Sequence, residues 1–301
     1  MFALGPPSVV PTDVRLMLAA GDSVSLAWAE GGLPLEYLGH GFSVGGDPDA
    51  TTLFSLFRDA GANVSGASVG TRWHDVLQPA RVCSDREAAE HCRLNGAVDG
   101  ARVADIGRQL EYLETQMARL YPSSAHQWKV LTLFVGLSDA AFAADPAGGP
   151  TPVARFEDAY AETLRRIGRW NATFVNTLLL PVNASAFLRV ARGSVECSAV
   201  ETLMHTPSFP WKWTDSHTWA ATLGGYNAAI GRVAARQNGA RTHATDPYFA
   251  VQRFMERFVP ERAGVDTLDC FHPNAATRRA MAVALWNNMV GPKAESFSPR
   301  S

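Results

Sequence analysis

Short apolar runs that end in glycine alternate along this chain with long amphipathic stretches, and few folds satisfy that alternation. Val14-Arg-Leu-Met-Leu-Ala-Ala20 runs into Gly21, and Val130-Leu-Thr-Leu-Phe-Val135 runs into Gly136. A third run covers Thr173–Val182 and a weaker one Tyr248–Val251. Runs this short and this apolar read as strands buried on both faces. Between them, Ala101–Leu120 carries apolar residues three and four apart, the spacing of one helix face. Further helices are predicted from about Pro152 to Trp170, from Ser216 to Gln237, and from about Asn274 to Met289 behind Pro273. Strands joined through helices of this length pair in parallel and carry helices on both faces. The expectation is an α/β chain, three-layer α/β/α, around a mainly parallel sheet. Ligands bind such sheets beyond the carboxyl ends of the strands.

Composition narrows the classes. Of 301 residues, 47% are hydrophobic and 19% charged, which excludes a disordered chain and supplies a core. Basic and acidic residues number 27 and 29, for a net charge of -2. The arginines are scattered and form no stripe, and lysine occurs only at Lys129, Lys212 and Lys293, so nucleic-acid binding is disfavoured. No apolar run approaches the roughly 18 residues of a membrane span. Residues 1–13 lack the basic start and apolar stretch of a secretory signal. The four cysteines, Cys83, Cys92, Cys197 and Cys270, are too few for a disulfide scaffold and show no zinc spacing. Cys83 and Cys92 are near enough to close a short loop, which the sequence leaves open. Sequons at Asn63, Asn171 and Asn183 fit a secreted glycoprotein and also arise by chance, so the compartment stays open.

Two strand-end segments carry chemistry. The first strand delivers Gly21-Asp22-Ser23-Val24-Ser25, where a glycine permits a sharp turn and a serine hydroxyl faces the crevice. Alone, such a serine reads as a helix N-cap. Near the other end, Asp269-Cys270-Phe271-His272-Pro273 lets a carboxylate fold back onto the imidazole Nδ1–H and leaves Nε2 as a base. Together they make a nucleophile (Ser23), a base (His272) and an orienter (Asp269). Two G-x-S-x-G strings, at Ser43 and Ser68, read instead as loop serines, because neither has the strand-turn-helix context of a nucleophile elbow. The other seven histidines form no i, i+4 pair, so no metal site is expected. Trp211-Lys212-Trp213 reads as a capping loop or as an exposed aromatic lip.

The ordered set Gly21-Asp22-Ser23, Asn95-Gly-Ala97-Val-Asp-Gly100, Gly136-Leu-Ser-Asp139 and Asp269-Cys-Phe-His272 resembles the SGNH (GDSL) hydrolases. Gly41-Phe-Ser-Val-Gly-Gly-Asp47, Trp128–Gly136 and Ala284-Leu-Trp-Asn-Asn-Met289 bring the resemblance to the animal-type phospholipase B branch. It implies a flavodoxin-like SGNH hydrolase fold and a single domain over residues 14–292, between an N-terminal extension (1–13) and a polar tail (293–301). It also implies hydrolysis of acyl esters, with phospholipids or lysophospholipids as substrates, through an acyl-enzyme and without metal or cofactor. Ser23, His272 and Asp269 take the catalytic roles, and the backbone N–H groups of Ser23 and Gly100 donate to the oxyanion. Gly100 is expected to open a helix, whose dipole would support that role. The family's third donor is an asparagine in a G-x-N-D block, where this chain has Ser138. A shorter hydroxyl there implies either a slower enzyme or a weakened homologue that binds lipid or ester. The resembled family is mostly secreted or membrane-anchored; a monomer with transient membrane-surface contact is the corresponding expectation.

Overall fold

A computed structural model describes residues 10–290, except 29, 31–34, 74–80, 125, 142–148, 184–185, 187–194, 196, 198–215, 260 and 267–269. The strands are β1 (Val14–Gly21), β2 (Leu35–Glu36), β3 (Arg72–Trp73), β4 (Trp128–Phe134), β5 (Thr173–Leu178) and β6 (Tyr248–Gln252). The helices that matter to the site are α1 (Leu53–Asp59), α2 (Ile106–Leu120), α3 (Leu137–Ala141), α4 (Val153–Ile167), α5 (Ser216–Gly239) and α6 (Ala275–Val290). Strands β1, β4, β5 and β6 pair in that order, all parallel, while β2 and β3 form a small antiparallel pair. Every residue of β4 after Trp128 is buried, and so is every residue of β1 except Arg15. Burial without alternation means that both faces of the sheet are covered.

Aromatic residues fill the space between sheet and helices. Phe156 of α4 stacks on Tyr226 of α5 with ring centroids 4.1 Å apart, and Phe57 of α1 meets Trp286 of α6 edge-on at 5.2 Å. Leu110 and Leu113 of α2 join Leu16, Leu18, Leu131 and Leu133 of the strands in the same core. The outer edge of β1 is also occupied. Ala19 N–H donates to Leu94 C=O (3.0 Å) and Gly96 N–H donates to Ala19 C=O (2.9 Å). The segment leading to Gly100 therefore runs alongside the strand that leads to Ser23.

Two boundaries differ most from the sequence reading, each for a hydrogen-bonding reason. The third strand stops at Leu178 because Asn227 of α5 takes over the backbone beyond it, accepting from Leu180 N–H (2.7 Å) and donating to Leu180 C=O (2.9 Å). The helix predicted from Ala101 begins at Ile106 after a single 3₁₀ turn. There, side chains take the amides that a helix would leave open: Arg102 N–H donates to Asp105 (3.0 Å) and Val103 N–H to Asp139 (2.8 Å). Both disulfides form, Cys83–Cys92 and Cys197–Cys270, and no cysteine remains free. The first settles the loop that the sequence left open; the second joins two cysteines that the sequence reading did not pair. No helix among the described residues is long and apolar enough to cross a membrane.

Candidate active site

Ser23 is presented by an abrupt turn at the end of β1. Gly21 has φ +148°, and a Cβ there would lie 2.0 Å from Phe134 C=O on the neighbouring strand, so only glycine fits. Asp22 N–H donates to that same carbonyl (3.2 Å). Ser23 opens a 3₁₀ turn, Ser23–Leu26, but its cap is Asp22, whose Oδ1 accepts from Val24 N–H at 3.2 Å. The N-cap reading of the serine thus falls to its neighbour. From α2, the Gln109 amide grips Gly21 on both sides, accepting from its N–H (2.7 Å) and donating to its C=O (2.8 Å). That clamp was not legible in the sequence, where Gln109 is one polar residue on an amphipathic helix.

His272 arrives from the opposite end of the chain. Its C=O accepts from Asp266 N–H (2.8 Å), and Pro273 bridges to Val265. Cys270, at φ +57°, is tied to Cys197 by the second disulfide. The imidazole lies between Trp28 and Phe271, with ring centroids 5.0 and 5.2 Å away. Its Nε2 is 2.6 Å from Ser23 Oγ. Both residues are almost fully buried, Ser23 at 4% and His272 at 3% exposure. Asp269 lies outside the described residues.

The other two predicted donors lie just beyond Val98, whose N–H donates to Gly21 C=O (3.1 Å), and just beyond β4. Gly100 stands in a turn at φ +67°, a left-handed conformation that favours glycine. Because the next helix starts at Ile106, Gly100 does not open it, and no helix dipole stands directly behind its amide. Ser138 is buried in α3, directly after the β4 terminus. Asp139 knots the two segments together, accepting from Val103 N–H and, at 2.8 Å, from Thr151 Oγ1. Burial raises the Asp139 carboxyl to about 6, against the lowering effect of those hydrogen bonds. Asp22 is raised further, to about 7, first by burial and also by the charges of Asp99 and Asp139; Val24 N–H and His272 oppose this. Burial thus raises two carboxyls toward neutrality, Asp22 after β1 and Asp139 after β4.

The competing serines stay outside the site. Ser43 and Ser68 are fully buried, and Ser68 Oγ donates to Leu38 C=O at 2.7 Å. Asn95 organises its own turn, accepting from Ala97 N–H and donating to Ser25 C=O, both at 3.2 Å. Among the described residues, one set of metal-ligand types converges, His40 with Asp47 and Asp49. Its members are engaged otherwise: His40 Nδ1 is 2.9 Å from Glu30, and Asp47 accepts from Gly70 N–H. The hydrogen bond to Glu30 raises the His40 pKa. Trp211-Lys212-Trp213 lies outside the described residues.

The model of the GDSL-like lipase/acylhydrolase family matches residues 17–285. The chain belongs to that family. Phospholipase B1, membrane-associated, of Homo sapiens is 28% identical over 322 aligned residues, covering 96% of this chain and 20% of that protein. The Mus musculus protein of the same name is 24% identical over 306 residues, covering 95% of this chain and 20% of its own length. The chain thus spans about a fifth of these relatives. An extracellular lipase of Streptomyces rimosus is similar in structure at a TM-score of 0.46 and 14% identity, over 91% of this chain and 99% of that one. Membership in the GDSL family supports hydrolase chemistry, and the parallel sheet flanked by helices is the fold that the resemblance implied.

Proposed function

We propose that this GDSL family member is a serine carboxylic ester hydrolase with lipid esters as substrates, in which Ser23 is the nucleophile, His272 the general base and Asp269 its orienter. The contact that carries the reading is the 2.6 Å approach of His272 Nε2 to Ser23 Oγ, between residues from opposite ends of the chain. That distance lies within the reach proton transfer requires.

The chemistry follows from that contact. As Ser23 Oγ attacks the ester carbonyl carbon, its proton passes to His272 Nε2, and the carbonyl π pair moves onto oxygen. The Ser23 and Gly100 amides and the Ser138 hydroxyl are the proposed donors to that oxyanion. Collapse expels the alcohol, which takes the proton from His272, and leaves an acyl-enzyme. Water then gives a proton to His272 as it attacks, and the second collapse releases the acid and returns the proton to Ser23. Phospholipids or lysophospholipids are the proposed substrates, supported by the name of the mammalian relatives.

The test is release of p-nitrophenol from short-chain esters by wild type and by Ser23→Ala. Loss of turnover by at least about 10³-fold is expected, as for removal of a catalytic nucleophile. Equal rates for the two would sink the proposal. Ser138 supports a second reading, a weakened homologue that binds lipid without useful turnover. Turnover by the wild type that Ser23→Ala abolishes excludes it.

A further inference from the structure

We propose that Arg278 is a positioning residue for this site, a buried strut that fixes the separation of the two loops carrying Ser23 and His272. The inference rests on the reading of those residues as nucleophile and base.

Arg278 is 2% exposed in the first turn of α6. One arm of its guanidinium donates to the C=O of Pro273, the residue after His272. The other arm stands 2.5 Å from Glu30 Oε2, on the loop that follows Ser23. That loop reaches the site directly: Trp28 N–H donates to Ser23 C=O at 3.3 Å, and the Trp28 ring lies against His272. The guanidinium therefore touches both the residue after His272, through a hydrogen bond, and the loop after Ser23, through an ion pair. A lysine ammonium, a point charge on a flexible stem, does not fix two directions at once.

The energetics favour a geometric purpose over simple stabilisation. Burial pulls the Arg278 pKa down, and only the carboxylates of Glu30 and Asp266 facing it pull it back. A buried ion pair is usually no more stabilising than apolar residues of the same volume, so what it offers is a defined geometry. Glu30 is itself braced by His40, whose other ring nitrogen faces Asp49 at 3.3 Å and Asp47 at 3.9 Å. The strut is thus anchored outside the crevice as well as within it.

The test compares wild type, Arg278→Lys, and the double variant Glu30→Gln with Arg278→Met, which removes both partners of the ion pair. Turnover of a p-nitrophenyl ester is measured with the active fraction titrated by a fluorophosphonate, and folding is followed by thermal melting. In the double variant kcat per active site should fall by roughly 10–100-fold, the scale of a misplaced reacting group, with KM within about twofold. Arg278→Lys should fall between, because it keeps the Glu30 pair and loses the second arm. A folded double variant with wild-type kcat overturns the proposal, as does a loss explained wholly by a smaller active fraction. If the double variant does not fold, wild-type kcat in Arg278→Lys overturns it. An inert wild type would instead sink the underlying assignment of Ser23 and His272.

Discussion

At the scale of single residues, the site is built from groups whose neighbours restrict them to one role. Asp22 takes the capping bond, so Ser23 keeps its hydroxyl for His272. With Ser138 as the proposed third oxyanion donor, Ser138→Asn should raise kcat on short-chain esters, by up to the 10²–10³-fold that one oxyanion donor is worth. No gain in stopped-flow acylation would mean that another group fills that position. Asp22 supplies a separate test. Its folded-state pKa of about 7 lies above its ordinary value of 3.8, so the folded chain holds a proton that the unfolded chain releases. This contribution to stability is complete below about pH 4 and is lost as pH rises through about 7. The slope is at most about 1.4 kcal/mol per pH unit. Asp22→Asn should therefore flatten the fall in melting temperature between about pH 4 and pH 7. An unchanged slope would place the titration elsewhere.

At the scale of elements, the strands were legible because burial on both faces leaves an unbroken apolar run, as in β1 and β4. Their ends were less so. Whether a backbone amide finds its partner in a strand, a helix or a distant side chain is decided by groups such as Asn227 and Asp139, remote in sequence. The Cys270–Pro273 segment shows the same limit: its residue types stood out in the sequence, whereas its fastening to Cys197 did not. That disulfide spans 73 residues and Cys83–Cys92 only 9, so the loop-closure view assigns about 4 kcal/mol to the first and about 2.5 to the second. Replacing Cys197 and Cys270 by alanine should lower the melting temperature more than replacing Cys83 and Cys92. It should also reduce kcat, because Cys270 is two residues from the proposed base. Equal losses in both pairs would mean that the second disulfide does not support the site.

At the scale of the whole molecule, a net charge of -2 carries a consequence for lipid substrates. Without a basic field, attraction to anionic lipid contributes little, and contact with a membrane would rest on apolar groups. Turnover of a lysophospholipid in zwitterionic vesicles should change by less than about twofold when anionic lipid is added at physiological salt. A large stimulation would point to a basic surface that the scattered arginines do not suggest. The sequence by itself determined the parallel sheet and pointed to its strand ends, with Ser23 and His272, as the place of the proposed site. Those follow from local periodicity and from residue types at fixed spacing, which a linear reading captures. Only the tertiary structure decided the 2.6 Å approach of Ser23 to His272, the Gln109 clamp, the Arg278 strut and the pairing of Cys197 with Cys270. Each of these joins residues far apart in the chain, and their meeting depends on how sheet and helices pack, which no local pattern encodes.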